Sequence, residues 1–460
     1  MIEISVLPDE VLLGIFDFYE DTVDLSFFTH KPRIEAWQKL VYVCRRWRNL
    51  IFRSPRRLNL RLCCTNQTPV RDTLDVWPAL PLLIGGNMLP SSCTDDIAAA
   101  LRQSNRVCQV HLCSFQLGKV LEPVQVPFPE LTDLQLWSPD RDTIPDTFLG
   151  GSAPRLRSLI LNFISFPGLP NLLLSATHLV HLHLKGIPHS GYISPEAIVA
   201  PLSVLSSLEA LILEFERSWP DREGSSLHPP KCSILPSLTE FFFEGPIRYL
   251  EQLMTRIDTP QLDKMWIETF PRIDFTFDCP QLVQFVNRTP TLRGLDEAHV
   301  QFNDKTTGLR LRYRTSKSSV DALLINIFCY EAHLQPSSIG RVCNPSLHLL
   351  STVEDLYIEH RLDRTNDAIG DDLWLELLLP FTVVKNLYLS EKIAPGIAAA
   401  LQELVGDRIT EVLPNLQNIF VEELEPSGPF QENIGQFVSA RQLSGHSIAI
   451  SVWDKNINMK

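Results

Sequence analysis

A six-residue frame of apolar, x, x, apolar, x, apolar positions recurs through most of this chain. Ten copies are recognisable, and successive copies start 25, 23, 29, 30, 24, 20, 71, 31 and 32 residues apart. They are LTDLQL from 131, LRSLIL from 156, LVHLHL from 179, LEALIL from 208, LTEFFF from 238, LDKMWI from 262, LVQFVN from 282, VEDLYI from 353, VKNLYL from 384 and LQNIFV from 416. The last two apolar positions share one face of an extended chain, so each frame predicts a short strand with that face buried.

Helical patterns lie between the frames, and proline marks where several of them end. Proline stands two residues before six frames, where it fixes an extended entry. These prolines are Pro129, Pro154, Pro236, Pro260, Pro280 and Pro414. The helical candidates are PEAIVAPLSVL, RYLEQLMTRI, DDLWLELLLPF and PGIAAALQELV. Strand and helix alternating every 20 to 32 residues predict an α/β fold, an irregular leucine-rich-repeat-like solenoid with a parallel concave sheet.

The repeat is degenerate. The Asn or Cys that usually follows the strand in such repeats is mostly missing, so the sequence predicts no particular curvature. The 71-residue interval has room for two divergent units, with strands near GLRLRY and DALLINI. Earlier strands are predicted at RLNLRL and RVCQVHL, the second after a helix at DDIAAALRQ. We therefore assign residues 58–455 to the solenoid and 456–460 to a C-terminal tail.

Residues 1–57 show a different pattern, which predicts two amphipathic helices. In the first, Pro8 fits the first helical position, and the apolar face follows i, i+3, i+4, i+7 spacing. That face consists of Leu12, Ile15, Phe16 and Tyr19. The second helix is predicted to begin near Ile34, after a loop at EDTVDLSFFTHKP, and to carry one wide apolar stripe. The stripe consists of Leu40, Val43, Cys44, Trp47, Leu50 and Ile51, and arginines such as Arg46 lie off it.

Composition narrows the possible functions. The net charge of −13 argues against non-specific nucleic-acid binding, which needs clustered Lys and Arg. No apolar run is long enough to span a bilayer, and the N-terminus has no signal-peptide pattern. The ten cysteines form no Cys-x-x-Cys pair, which indicates reduced thiols and argues against zinc. We expect a cytoplasmic or nuclear protein with no cofactor, no metal, and neither a nucleic-acid nor a membrane partner.

The N-terminal pattern resembles an F-box. The segment LPDEVLLGIF, followed by LVYVCRRWRNLIFRSPRRLNLRL, is similar to that family's Leu-Pro start, apolar helix and Val-Cys-(Lys/Arg)-x-Trp finish. The connection between the two halves is longer than the family's usual few residues. With the degenerate repeats behind it, the chain resembles the fungal F-box proteins with leucine-rich repeats. The alternative for residues 1–57 is a plain helical cap on the following domain.

The resemblance implies that residues 1–57 dock onto the Skp adaptor of a cullin–RING ubiquitin ligase. An apolar helical face with Trp and Arg anchors is compatible with such an interface. The implied adaptor-binding residues are Leu7, Pro8, Leu12, Ile15, Phe16, Val43, Cys44, Arg46, Trp47, Leu50 and Ile51.

A second surface is predicted on the sheet of the repeat domain. The residues that flank the fourth frame position face outward, and several of them are aromatic. Exposed aromatic side chains on a sheet indicate a recognition surface, unless a loop or the C-terminal tail covers them. The predicted target-binding residues are Phe242, Trp266, Tyr357, Tyr388 and Phe420.

No catalytic motif stands out in the sequence. His181 and His183 share a face of one predicted strand, but no third metal ligand is identifiable. The leading hypothesis is a non-enzymatic substrate-recognition subunit of a Skp–cullin–F-box ubiquitin ligase. A non-catalytic repeat scaffold with a helical N-terminal cap is the alternative, and a hydrolase with dispersed catalytic residues is remote.

Overall fold

The computed structural model describes residues 7–18, 36–65, 70–89, 94–122, 124–217, 232–270, 278–314, 321–329, 335–344, 346–360, 371–404, 406–422 and 429–453. The chain divides into two compact units, Met1–Ile212 and Leu213–Lys460. The predicted loop after the first helix, Tyr19 and the 456–460 tail lie outside the described residues.

The described helices alternate with strands along most of the chain. The helices are α1 (Asp9–Asp17), α2 (Ala36–Val41), α3 (Arg45–Arg53), α4 (Val70–Val76), α5 (Thr94–Leu101), α6 (Leu117–Leu121), α7 (Leu169–Ser175), α8 (Pro195–Leu202), α9 (Ile247–Met254), α10 (Pro280–Arg288), α11 (Gln335–Val342), α12 (Asp371–Leu378), α13 (Ala394–Gln402) and α14 (Pro429–Leu443). The strands are β1 (Leu62–Thr65), β2 (Leu82–Gly86), β3 (Val107–Cys113), β4 (Asp133–Trp137), β5 (Ser158–Asn162), β6 (His181–Ile187), β7 (Ala210–Phe215), β8 (Ser233–Ile234), β9 (Glu240–Gly245), β10 (Ile257–Asp258), β11 (Lys264–Thr269), β12 (Glu297–Phe302), β13 (Thr306–Arg312), β14 (Leu323–Phe328), β15 (Asp355–His360), β16 (Asn386–Leu389), β17 (Asn418–Val421) and β18 (Ala449–Val452).

The N-terminal unit contains a parallel sheet in which β1 to β6 pair in chain order. The frame residues lie in register across it, so that Leu134 pairs with Leu159 and Leu159 with Leu182. All three are buried, as the frame predicts for its fourth position. The predicted strand at RVCQVHL and the helix at DDIAAALRQ are confirmed as β3 and α5. The strand predicted at RLNLRL starts later than the sequence suggests, because β1 begins only at Leu62.

The C-terminal unit contains a sheet with the strand order β9-β11-β14-β13-β12-β15-β16-β17-β18. Most neighbours are parallel, which confirms the predicted α/β class with a mainly parallel sheet. The exceptions are β12, β13 and β14, which form an antiparallel meander. The 71-residue interval therefore holds an inserted meander. The prediction of two divergent strand–helix units there is wrong, although GLRLRY and DALLINI do form strands.

Nine of the ten frames form strands. The prediction of a strand for the copy at 282 is wrong. LVQFVN lies in helix α10. Leu282, Phe285 and Val286 have i, i+3, i+4 spacing, and all three are buried on one helical face. The carboxylate of Glu251 on α9 accepts hydrogen bonds from the backbone N–H groups of Gln281 and Leu282, at 2.9 and 2.8 Å. It thus satisfies donors that a helix start leaves without an intrahelical partner.

The prediction of a single second N-terminal helix is also wrong, because the structure has two helices there. Helix α2 ends at Val41, and helix α3 begins at Arg45. Cys44 between them is fully extended, with φ −161° and ψ 169°, and its sulfur accepts a hydrogen bond from the Trp47 N–H. The Arg48 guanidinium donates to the Val41 carbonyl at 3.1 Å, which satisfies a helix end exposed by the break. Pro8 likewise stands one residue before α1, as its N-cap.

Candidate interaction surfaces

Helices α1 and α3 pack against each other through part of their predicted apolar faces. Phe16 of α1 meets Trp47 of α3 edge to face, with ring centroids 4.8 Å apart. Four of the predicted adaptor-binding residues are buried inside the chain's own core. They are Leu12, Phe16, Leu50 and Ile51. In this structure these four residues support the helices and do not form part of their surface.

The arginines of this region tie the helices together. The Arg46 guanidinium of α3 donates to the Leu7 carbonyl at 2.6 Å and pairs with Asp9 at 2.7 Å. Arg57 pairs with Glu10 at 2.9 Å and with Asp17 at 3.5 Å, and these two carboxylates raise the pKa of its guanidinium. The predicted adaptor contact Arg46 is therefore engaged with the start of α1. That ion pair brings the beginnings of α1 and α3 against each other.

A different set of apolar side chains remains exposed on the N-terminal helices. Val11, Ile15 and Phe18 lie along one face of α1 at i, i+4, i+7, with Ile15 40 % and Phe18 92 % exposed. Val43, in the turn between α2 and α3, is 59 % exposed, and Tyr42 next to it is exposed too. We call these five residues the N-terminal apolar surface. Of the predicted adaptor-binding residues, Ile15 and Val43 belong to it, and Pro8 and Cys44 are exposed nearby.

Aromatic packing joins α2 and α3 to the segment that follows them. Trp37 of α2 contacts Trp77 edge to face, with centroids 5.2 Å apart, and Phe52 of α3 contacts both rings. The Trp37 indole also donates to the Arg61 carbonyl at 3.1 Å. The helical region is thus packed against the first strand and helix of the repeat-containing region.

In the C-terminal unit, the sheet face opposite the buried aliphatic side chains carries rows of polar and aromatic residues. We call it the polar face. The predicted target-binding residues lie on it in one register row, in which Phe242 pairs with Trp266 and Tyr357 with Tyr388. Three residues of the meander, which the sequence analysis did not include, complete this row. They are Leu324, Arg310 and His299.

The aromatic row falls into two parts with different surroundings. His299, Tyr357, Tyr388 and Phe420 stack nearly parallel, with successive centroids 4.3, 4.1 and 4.6 Å apart. Trp453, near the C-terminus, packs edge-on against both tyrosine rings. Trp453, which lies in the predicted solenoid and not in the predicted 456–460 tail, therefore covers part of this stack.

The part of the row formed by Phe242 and Trp266 is more accessible. Trp266 is 46 % exposed and contacts Phe242 with centroids 5.4 Å apart. Lys264 and Glu240 form an ion pair at 2.6 Å on the same face, one row away. Among the predicted target-binding residues, Trp266 thus offers the most accessible ring.

Sequence reasoning missed a buried polar cluster at the meander. Glu297 and His299 on β12 and Glu359 on β15 are all buried. The His299 imidazole lies 2.6 Å from Glu297 and 3.9 Å from Glu359, and Arg312 also pairs with Glu297. Burial opposes charge on His299, but its bonds to the two carboxylates raise its pKa. The alternation of polar and apolar letters in EAHVQF is the signal that could have located β12.

The side chains of Glu297, His299 and Arg312 are held in ion pairs and a ring stack, an arrangement typical of structural networks. His181 and His183 are in ring contact at 6.2 Å. Within the described ranges, no three His, Cys, Asp or Glu side chains are grouped so that they could hold a metal ion. Burial raises the pKa of Cys64 to about 11 and of Cys279 to about 12, which keeps these thiols protonated and unreactive. None of the described helices is long and apolar enough to cross a membrane.

Compared with known proteins, the chain matches no protein-family model and no curated sequence.

Proposed function

We propose that this chain is the substrate-recognition subunit of a Skp–cullin–F-box ubiquitin ligase. The observation that carries the proposal is the N-terminal apolar surface. It lies on the two segments that resemble the halves of an F-box, the Leu-Pro helix α1 and the Val-Cys-Arg-Arg-Trp turn into α3. In this role the chain performs no chemistry itself, and ubiquitin transfer occurs on other subunits.

The physical argument is that this surface is costly unless a partner covers it. Phe18 and Val43 expose most of their side chains, and Val11 and Ile15 extend the apolar area along α1. Fully burying an exposed side chain of this size contributes roughly 1.5–3 kcal/mol, and covering a half-exposed one contributes about half of that. A groove on an adaptor that accepts one helix face at i, i+4, i+7 would bury three of them together. The Arg46–Asp9 ion pair would keep the two helices in register for that contact.

The sheet of the C-terminal unit supplies the second half of the proposal. Target binding requires an accessible surface of mixed aromatic and polar character. The exposed Trp266, its neighbour Phe242 and the charged residues around them have that character. In this role the polar face holds a target protein so that its lysines are presented for ubiquitin transfer.

A pull-down with the Skp adaptor tests the proposal. We expect the full-length chain to retain the adaptor, and Ile15→Asp and Val43→Asp each to weaken the complex at least about tenfold, because each places a charge in an apolar contact. Val126→Asp is the matched control, since Val126 is a half-exposed valine outside this surface. Failure of the wild-type chain to bind, or equal binding by all variants, would refute the assignment.

A non-catalytic repeat scaffold is the second candidate. The packing of Trp37, Phe52 and Trp77 favours it, because these rings attach α2 and α3 to the following domain as a terminal cap would be attached. The same pull-down separates the two candidates. A scaffold would fold normally and leave the adaptor unbound.

A further inference from the structure

One corner of the polar face combines the exposed aromatic pair with carboxylates. Glu244 and Glu268 are direct partners on β9 and β11. Each lies two residues beyond an aromatic residue on its strand, Phe242 and Trp266 respectively, and therefore on the same face. We call these four residues the aromatic–acidic corner.

A guanidinium already lies in this corner. The Arg217 side chain reaches Glu244 at 3.4 Å and Glu268 at 3.7 Å, and its guanidinium carbon lies 4.9 Å from the centre of the Phe328 ring. Carboxylates on one side and a ring face on the other suit a planar guanidinium better than a compact ammonium. The chain's own arginine thus shows which chemistry the corner accepts.

This internal occupant is loosely held. Arg217 is 67 % exposed, and both of its ion-pair distances are long. Exposed pairs of this kind contribute little stability, so another guanidinium can replace it at low cost. Burial and the neighbouring Glu244 and Glu214 raise the pKa of Glu268, while Arg217 lowers it. The carboxylates of Glu214, Glu244 and Glu268 are therefore close enough to interact.

We propose that the aromatic–acidic corner binds an extended segment of the target protein that carries an arginine two residues from an apolar residue. Adjacent same-face positions on a strand lie about 6.5–7 Å apart, which is also the i to i+2 spacing of an extended ligand. A ligand arginine would replace Arg217 between Glu244 and Glu268, and its apolar residue would cover Trp266. The inference rests on the proposed role of this face in target binding, and it adds the chemical class of the target.

The probe is a fluorescein-labelled octapeptide, Arg-Ser-Leu-Ser-Arg-Ser-Leu-Ser, titrated into the full-length chain and followed by anisotropy. We expect saturable binding that Trp266→Ala and Glu268→Gln each weaken about fivefold, because each removes one of the two recognition elements. Trp266→Phe should restore most of the affinity. Arg217→Ala should tighten binding about threefold, since it removes the internal competitor.

Matched controls separate this site from bulk electrostatics. Glu122→Gln removes one exposed carboxylate from the N-terminal unit, and Arg155→Ala removes an exposed, ion-paired arginine there. Both should leave the affinity unchanged. The inference is overturned if Glu122→Gln weakens binding as much as Glu268→Gln, if Arg217→Ala has no effect, or if a peptide with glutamate in place of arginine binds equally well.

Failure of this inference is distinguishable from failure of the proposed function. The adaptor pull-down depends on the N-terminal apolar surface, whereas the peptide titration depends on Trp266 and Glu268. Adaptor binding without peptide binding would overturn only the inference. Peptide binding without adaptor binding would overturn the ubiquitin-ligase assignment and leave an arginine-binding scaffold.

Discussion

Replacement of Tyr388 by leucine tests whether the stacked aromatic row is structural. The Tyr388 ring contacts Tyr357 at 4.1 Å, Phe420 at 4.6 Å and Trp453 at 5.5 Å. Leucine preserves much of the buried apolar area but loses all three ring contacts. Since an aromatic pair contributes about 0.5–1.5 kcal/mol beyond its burial, Tyr388→Leu should lower the unfolding free energy by about 2–4 kcal/mol.

Urea unfolding followed by near-ultraviolet circular dichroism is the appropriate assay, because stacked rings dominate that signal. Phe242→Leu is the matched control. Its described ring contact is with Trp266 alone, so it should cost about 0.5–1.5 kcal/mol. A Tyr388→Leu variant no less stable than Phe242→Leu would refute the structural role.

Three further predictions concern stability. Glu251→Ala should lower the unfolding free energy by about 1–3 kcal/mol, measured by urea titration, because the Gln281 N–H and its neighbour at the start of α10 lose their acceptor; unchanged stability would contradict this. The raised pKa of His299 means that its charged form stabilises the fold, so this contribution is complete below about pH 6.5 and is lost as pH rises through the folded-state pKa. Unfolding free energies at about pH 6 and about pH 9 should therefore differ more in the wild type than in His299→Gln, and equal differences would contradict the imidazolium assignment. Gly186→Ala should cost more than about 2 kcal/mol, because φ is +57° and the new Cβ would lie 2.4 Å from the Phe163 ring; a thermal unfolding curve like that of the wild type would contradict it.

The repeat frame predicted the strands well because its apolar spacing reflects burial directly. It was wrong at 282, where the first and fourth positions also fit i, i+3 of a helix. The third apolar position of that frame is occupied by Asn287, a departure that separates this copy from the other nine. The break before α3 had no comparable signal. Val43 and Cys44 continue the helical offsets, and only the backbone geometry of Cys44 shows that the helix stops.

The sites were harder to predict than the strands. The sequence placed the aromatic residues on one face, but it could not show that Trp453 returns to cover two tyrosines, since that contact joins residues 65 positions apart or more. The role of Arg46 was equally hidden. Its partner Asp9 begins another helix and its partner Leu7 lies just before that helix, and only the fold brings them within hydrogen-bond distance.

Hydrogen exchange of the full-length chain, alone and with the Skp adaptor, tests the central claim most directly. The account predicts a one-to-one complex in which amides of α1 and of the turn around Val43 exchange more slowly. Amides of β9 and β11 near Trp266 should be unaffected, since that face is left open for the target. The absence of a complex, or protection on β9 and β11 instead of α1, would contradict it.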